Sequence, residues 1–243
     1  MIYQNFLFIH IPKCGGSSIE KAFMGDHRHL NFTIKHIFTE SRFSNFIVSS
    51  MRNRNWRNFI FWLVSCFMCD LKNLWGLYRG KVLQHLTYQE IMTNKKFHQN
   101  KKLIKFTIIR NPYDRIISAY HFLGRDLSFK HFVYWVYQEL DNYYRKNIKP
   151  FVVILPQWEF LVDEMGKIRI PHIMKFENLQ EEFQKFCDKY HLKLDLPHIN
   201  RRTRNKKILE YYDQELADMV YHIYRWDFKL LKFKKLMFRK SSV

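Results

Sequence analysis

Glycine is scarce in this chain, with 7 residues in 243, and proline is scarcer at 6. So few breakers exclude collagen-like sequence, and no Pro/Gly/Ser linker, low-complexity tract or internal repeat divides the chain into parts. Acidic residues are also short, since 22 Asp plus Glu stand against 41 Lys plus Arg and leave a formal net charge of +19. Long apolar runs are missing: the longest nearly unbroken one, FIFWLVSCFMC at 59–69, falls well below the ~20 residues of a membrane-spanning helix. Four cysteines, Cys14, Cys66, Cys69 and Cys187, do not make a secreted disulfide framework in a chain this long. The opening MIYQNFLFIHIPK has neither a basic region ahead of its apolar stretch nor a small-residue cleavage site, so it reads as a strand and not a signal peptide. The expectation is a cytoplasmic protein with reduced thiols.

What is present suits a folded domain. Hydrophobic residues make up 47% and charged residues 26%, which argues against disorder, and the length fits one domain with room for an insertion. Aromatic content is high at 18%, with 23 Phe and 14 Tyr. The basic residues gather at 95–105, in RRTRNKK at 201–207, and in a tail with Lys229, Lys232, Lys234, Lys235, Arg239 and Lys240, so the partners are anionic. Zinc-finger spacing, RNA-recognition aromatics and heptads behind a basic region are all lacking, which sets specific nucleic-acid binding aside. A nucleotide, an anionic glycan and an anionic membrane surface remain. The tail FKLLKFKKLMFRK alternates cations with apolar residues as an interfacial helix does, or forms a solvated basic end.

Periodicity indicates an α/β chain. NFLFIHI at 5–11 is strand-like and runs through Pro12-Lys13-Cys14-Gly15-Gly16 into a helical pattern at 17–23. LIKFTII at 103–109 repeats the step: Asn111-Pro112 breaks the strand, and Ile116, Ile117, Tyr120 and His121 have helical spacing over 113–122. A third unit joins a strand at 168–176 to a helix N-capped by Asn178, with Glu181 three residues on and Leu179, Phe183, Phe186, Cys187 and Tyr190 on one face. Strands alternating with helices predict a parallel sheet flanked by helices, with ligands at the C-terminal strand ends. Residues 37–80 interrupt the pattern and read as a helical insertion that covers the site or touches lipid, or else as extra core.

Two of the seven glycines are adjacent, at 15 and 16, where a strand turns directly into a helix. Glycines there let backbone N–H groups and the helix N-terminus approach an anion, and Lys13, Ser17 and Ser18 add donors. A structural turn is the competing reading. GxxxxGK[ST] is absent and Lys13 precedes the glycines, so this is not a Walker A loop. Arg110 at the second strand end and Ser118 two turns along the next helix offer a cation and a hydroxyl to a second phosphate. A nucleotide with phosphates at both ends fits the pair. Cys66-Phe67-Met68-Cys69 has CxxC spacing, but it lies in an apolar run with no second ligand pair, so no metal site is assigned.

FIHIPKCGGSSIEKAF resembles the phosphosulfate loop of sulfotransferases that carry HIPKxxGTS, and FTIIRNPYDRIISAY resembles their RNPYDRLVSAY element for a 3′-phosphate. QHLTYQEI, LPQWEFL, KFENLQEEF and LPHINRRTRNKKILEYYD extend the resemblance over most of 5–230. It implies a P-loop-like fold and metal-free transfer of a sulfuryl group from 3′-phosphoadenosine-5′-phosphosulfate (PAPS) to an acceptor hydroxyl or amine. It also implies roles: Lys13 at the 5′-phosphosulfate and leaving phosphate; Cys14, Gly15, Gly16, Ser17 and Ser18 around it; Arg110 and Ser118 at the 3′-phosphate; and one of Arg201, Arg202 or Arg204 on a loop closing over the nucleotide. His85, ahead of the T-x-x-E capping pattern of Thr87 and Glu90, matches the family segment that supplies a catalytic base. His29 is the runner-up, and Glu20 is a weaker candidate that reads as a solvated or helix-pairing carboxylate. Trp158 stands where relatives often carry Ser, which points to a different acceptor pocket. The implied acceptor is a glycan or glycolipid, with possible peripheral contact to an anionic membrane. The competing readings are an inactive nucleotide- or glycan-binding protein of the same fold and, less favoured, a P-loop small-molecule kinase.

Overall fold

The computed structural model describes residues 2–3, 5–24, 85–93, 103–124, 127–197 and 207–238. The chain divides into two compact units, a larger one made of Ile2–Phe23 with His85–Val243 and a smaller one that includes Met24–Gln84. The fold below is that of the larger unit. The expected insertion at 37–80, the Cys66/Cys69 pair and His29 all lie outside the described residues.

In chain order the elements are β1 (Ile2–Tyr3), β2 (Phe6–Ile9), α1 (Gly16–Met24), α2 (Tyr88–Thr93), β3 (Ile104–Ile109), α3 (Pro112–Leu123), α4 (Phe129–Lys146), β4 (His172–Lys175), α5 (Leu179–Lys189), α6 (Gln214–Ile223) and α7 (Arg225–Leu230). The strands form one sheet in the order β1-β2-β3-β4. β2, β3 and β4 run parallel, with Phe8 opposite Phe106 and Thr107 opposite Ile173, while β1 pairs antiparallel with β2 at the edge. The α/β reading is correct, and the parallel order brings the C-terminal ends of three strands to one side.

The high phenylalanine content is used on one face of this sheet. Side chains alternate along a strand, so Phe6, Phe8 and Phe106 share a face. There Phe8 stacks on Phe106 at 5.0 Å, and Phe23, Phe186 and Tyr190 from α1 and the α5 end close the cluster. Each such ring contributes ~0.5–1.5 kcal/mol beyond the area it buries. A second core, with Tyr113, Ile116, Ile117, Phe132, Val136, Leu216, Val220 and Phe228, packs α3, α4, α6 and α7 together.

Two local expectations change. Asn178 does precede α5, but its side chain makes no cap bond, because a 3₁₀ turn at Phe176–Asn178 leads into the helix; Glu182 instead reaches back to the Lys175 N–H at 2.8 Å. The tail is helical only through Leu230, and Phe233, Leu236 and Phe238 pack against the second core. Those three are half-buried against the protein and 231–238 is not helical, so the segment is not an interfacial helix. Among the described residues, no helix is long and apolar enough to cross a membrane.

Candidate active site

Each motif residue at the end of β3 has a structural task. Arg110 ends the strand, Asn111 caps α3 by accepting from the Tyr113 N–H at 3.0 Å, and Pro112 takes the first turn, where no N–H is needed. Asp114 accepts from Arg110 Nε at 2.6 Å. The Arg110 Nη1 donates to the Lys13 carbonyl at 2.9 Å, and the guanidinium lies 4.1 Å from the Phe176 ring centroid. Those two hydrogen bonds use two of five N–H donors and hold the planar fork in one orientation. Burial lowers the Arg110 guanidinium to about 10, which leaves it cationic at neutral pH.

The β2–α1 loop is shaped from below. Gly15 has φ +88°, and a Cβ there would meet the Phe176 ring at 2.8 Å; a Cβ on Gly16 would fall 2.2 Å from His10 Nε2. Neither position admits a side chain without displacing a ring. Lys13 is held at φ 67°, a left-handed conformation that costs a non-glycine residue ~1–2 kcal/mol, and its carbonyl is the one that Arg110 grips. α1 has no acidic residue in its first turn, so the positive end of the helix faces the loop without a carboxylate to offset it. α3, in contrast, has both Asn111 and Asp114 there. An anion near β3 must therefore be held by side chains and not by the α3 terminus.

Lys13 Nζ stands 4.2 Å from the Phe122 ring centroid. Phe122 and Ser118 lie four residues apart and so share a face of α3, which puts Lys13 and Ser118 on the same side. Ser17 is exposed and Ser18 is buried, with its N–H on the Gly15 carbonyl at 3.0 Å. Cys14 turns away from the loop mouth: its Sγ donates to Gln157 Oε1 at 3.3 Å, and burial pushes the thiol up to about 12. What Cys14 can present to an anion is its backbone. Native protein treated with iodoacetamide at pH 8 should leave Cys14 unmodified while the urea-unfolded chain reacts; rapid native labelling, read by peptide mass spectrometry, would contradict this burial.

His85 belongs to the same cluster. Its Nδ1 donates to the His10 carbonyl at 3.2 Å, its ring lies 4.5 Å from that of His10, and its backbone is left-handed at φ 62°. A carbonyl oxygen only accepts, so Nδ1 carries the proton and the neutral ring has its lone pair on Nε2. The expected capping box just beyond it is formed, with the Thr87 N–H on Glu90 Oε2 at 2.8 Å and the Glu90 N–H on Thr87 Oγ1 at 3.2 Å. Glu20 departs from expectation: it is neither solvated nor paired along its helix, but sits with Oε1 2.6 Å from His10 Nδ1. Burial raises its carboxyl, and its contact with the His10 ring more than offsets this and holds it below the usual range. Arg201, Arg202 and Arg204 lie outside the described residues.

Sequence reading missed the floor of the site. Gln157 accepts the Arg110 N–H and returns its own Nε2–H to the Arg110 carbonyl, both at 2.8 Å, besides accepting from Cys14. Asp227, fully buried, accepts from the backbone N–H of Gln157 at 3.0 Å, its Nε2 at 3.3 Å, and the Trp158 N–H at 2.8 Å. Arg115, 1% exposed, donates to the carbonyls of Pro12, Val153 and Leu155 at 3.1, 3.0 and 2.8 Å. Glu177 at the end of β4 takes the Asn111 N–H at 2.7 Å. The sequence signal for Gln157 and Arg115 was a polar residue near apolar neighbours in LPQWEFL and NPYDR.

Two anion-competent strand ends thus stand side by side on β2 and β3, with a histidine tied to the first. Among the described residues, no group of three or more His, Cys, Asp or Glu side chains could hold a metal ion. No curated protein and no solved structure matches the chain significantly. A family model described as the sulfotransferase family matches residues 3–234, a span that includes both strand ends, His85 and Asp227. The chain belongs to the sulfotransferase family.

Proposed function

We propose that this sulfotransferase takes its sulfuryl group from PAPS and delivers it to a hydroxyl of a carbohydrate or glycoconjugate, with His85 as general base. The observation that carries this reading is the shared edge of the sheet, where the β2 loop with Lys13 and the β3 end with Arg110 are joined by the Arg110–Lys13 carbonyl bond, and His85 is tied to the His10 carbonyl. The fit to a doubly phosphorylated nucleotide rests on the glycine cradle at 15 and 16, the unopposed N-terminus of α1, and the oriented Arg110 fork. PAPS supplies a sulfur centre whose bond to the phosphate oxygen breaks as the acceptor oxygen bonds to it.

In this mechanism His85 Nε2 receives the acceptor proton, and its Nδ1 bond to the His10 carbonyl stabilises the imidazolium that results. Lys13, with Ser17, Ser18 and the N–H groups of the loop, stabilises the charge left on the departing phosphate. Arg110 and Ser118 hold the 3′-phosphate, and one of Arg201, Arg202 or Arg204 covers the nucleotide. The basic, aromatic-rich composition supports an anionic or lipid-linked sugar acceptor, and a cytoplasmic or membrane-peripheral site of action is part of the same proposal.

Calorimetric titration without metal should give tight binding of 3′-phosphoadenosine-5′-phosphate (PAP) and weak binding of ADP and ATP. Preference for ATP with Mg²⁺ would replace this reading with a kinase. Arg110→Ala should weaken PAP binding by about 10- to 100-fold, the value of a charge-assisted phosphate contact, and leave ADP binding nearly unchanged. An equal loss for both nucleotides would remove Arg110 from the 3′-phosphate.

A further inference from the structure

His10 stands where three parts of the site meet, and none of the roles assigned so far uses its ring. Its ring fills the space that a side chain at Gly16 would need, so the phosphate loop is built against it. Its Nδ1 is 2.6 Å from Glu20 Oε1, one turn into α1. Its carbonyl receives the His85 Nδ1 proton, and its ring tilts against the His85 ring at 4.5 Å. The other face of His10 is closed by Phe8, stacked at 5.4 Å. His10 is 6% exposed, and a buried imidazole so enclosed has one orientation open to it.

We propose that His10 and Glu20 are positioning residues that set His85 and the phosphate loop together: Glu20 anchors the His10 ring, and the anchored ring forms the floor at Gly16 and holds the His85 ring against the carbonyl that selects its Nδ1–H form. The selection matters because the base must present a lone pair on Nε2, whereas an unrestrained neutral imidazole in water favours the opposite form with the proton on Nε2. Loss of the anchor lets the His10 ring rotate away from the His85 ring packed 4.5 Å from it, so His85 is free to turn off the His10 carbonyl. The left-handed backbone at His85 adds to this, since strain there persists only while the surrounding contacts hold it. Lys13 and Arg110 are linked to the same loop by the Arg110–Lys13 carbonyl bond, so loosening at His10 should also be felt as weaker anion binding.

This inference rests on the assignment of His85 as base for its functional meaning, but its test does not need turnover. Side-chain ¹⁵N NMR of uniformly labelled full-length protein reports which ring nitrogen of His85 carries the proton, with the His85→Ala spectrum identifying its signals. In the unsubstituted protein at pH 7.5, His85 should be in the Nδ1–H form. In Glu20→Ala and His10→Ala that form should fall below about half of the neutral population, and PAP affinity measured by calorimetry should drop by about 3- to 10-fold. His10→Asn, whose amide can still face Glu20, should recover most of both, which a merely space-filling role for the ring would not produce. The proposal is overturned if His85 carries its proton on Nε2 in the unsubstituted protein, or if Glu20→Ala and His10→Ala leave its tautomer unchanged. Should the tautomer shift as expected while unsubstituted protein fails to bind PAP, the positioning role stands and the nucleotide assignment falls.

Discussion

The Asp227→Ala protein is expected to unfold with about 3–5 kcal/mol less free energy than the unsubstituted chain, a loss set by the buried partners that would be left uncompensated. Asp227 takes three N–H donors with its two oxygens, one of them from Trp158 and two from Gln157. Burial raises its carboxyl, and Arg115 together with those hydrogen bonds opposes the rise. Removing the carboxylate strands the three donors and takes away a charge that opposes the buried Arg115 guanidinium. With total stabilities of ~5–15 kcal/mol, much of the margin goes. Asp227→Asn separates charge from packing: it keeps the volume but offers one oxygen and turns an NH₂ toward the remaining donors, so it should cost a similar ~2–4 kcal/mol. Urea denaturation followed by tryptophan fluorescence measures both. As a control, Glu181→Ala breaks the Lys185–Glu181 pair, exposed on both sides, and should change stability by less than ~1 kcal/mol. A loss below ~1 kcal/mol for Asp227→Ala would mean that the floor relaxes around the gap.

The largest effect on chemistry should come from His85→Ala. Loss of a positioned general base lowers turnover by ~10²–10⁴-fold, and because the contacts His85 makes with His10 are to its carbonyl and ring and not to the N–H groups of the glycine turn, PAP affinity should stay within about threefold. Lys13→Ala should behave differently. Its backbone carbonyl still receives Arg110, so the loop retains its shape, but the ammonium that now stands over Phe122 is gone. Both PAP affinity and turnover should then fall. The contrast between the two variants assigns the roles: a His85→Ala protein that turns over acceptor normally, or one that loses PAP binding in step with turnover, would remove His85 as the base.

The strand–turn–helix steps were legible because their signals are local. Alternation marked β2 and β3, paired glycines marked the loop, and Asn111-Pro112 marked the start of α3. The capping box of Thr87 and Glu90 likewise needs only neighbours three residues apart. The floor was hidden for the opposite reason. Gln157 is 47 residues from Arg110 and 70 from Asp227, and nothing in the local pattern of a single buried polar residue says which distant group will satisfy it. His10 was read as part of a strand and Glu20 as a surface carboxylate because each looks ordinary alone. Their meaning arises only when the turn at Gly15 and Gly16 folds α1 back along β2. The tail misled in a different way: cations alternating with apolar residues suit a lipid surface and a protein groove equally, and Phe233, Leu236 and Phe238 are used in the groove.

The Asp227–Gln157 contact also bears on how the chain matures during synthesis. A ribosome delivers residues from the N-terminus at ~5–20 per second, so the β2–α1 loop emerges well before the carboxylate beneath it. Until residue 227 has left the exit tunnel, Gln157 lacks its acceptor and the end of β3 rests on an unfinished support. On the proposed function, nucleotide capture should therefore wait for that residue, and chains arrested short of it should present the β2–α1 loop and Arg110 yet fail to retain PAP.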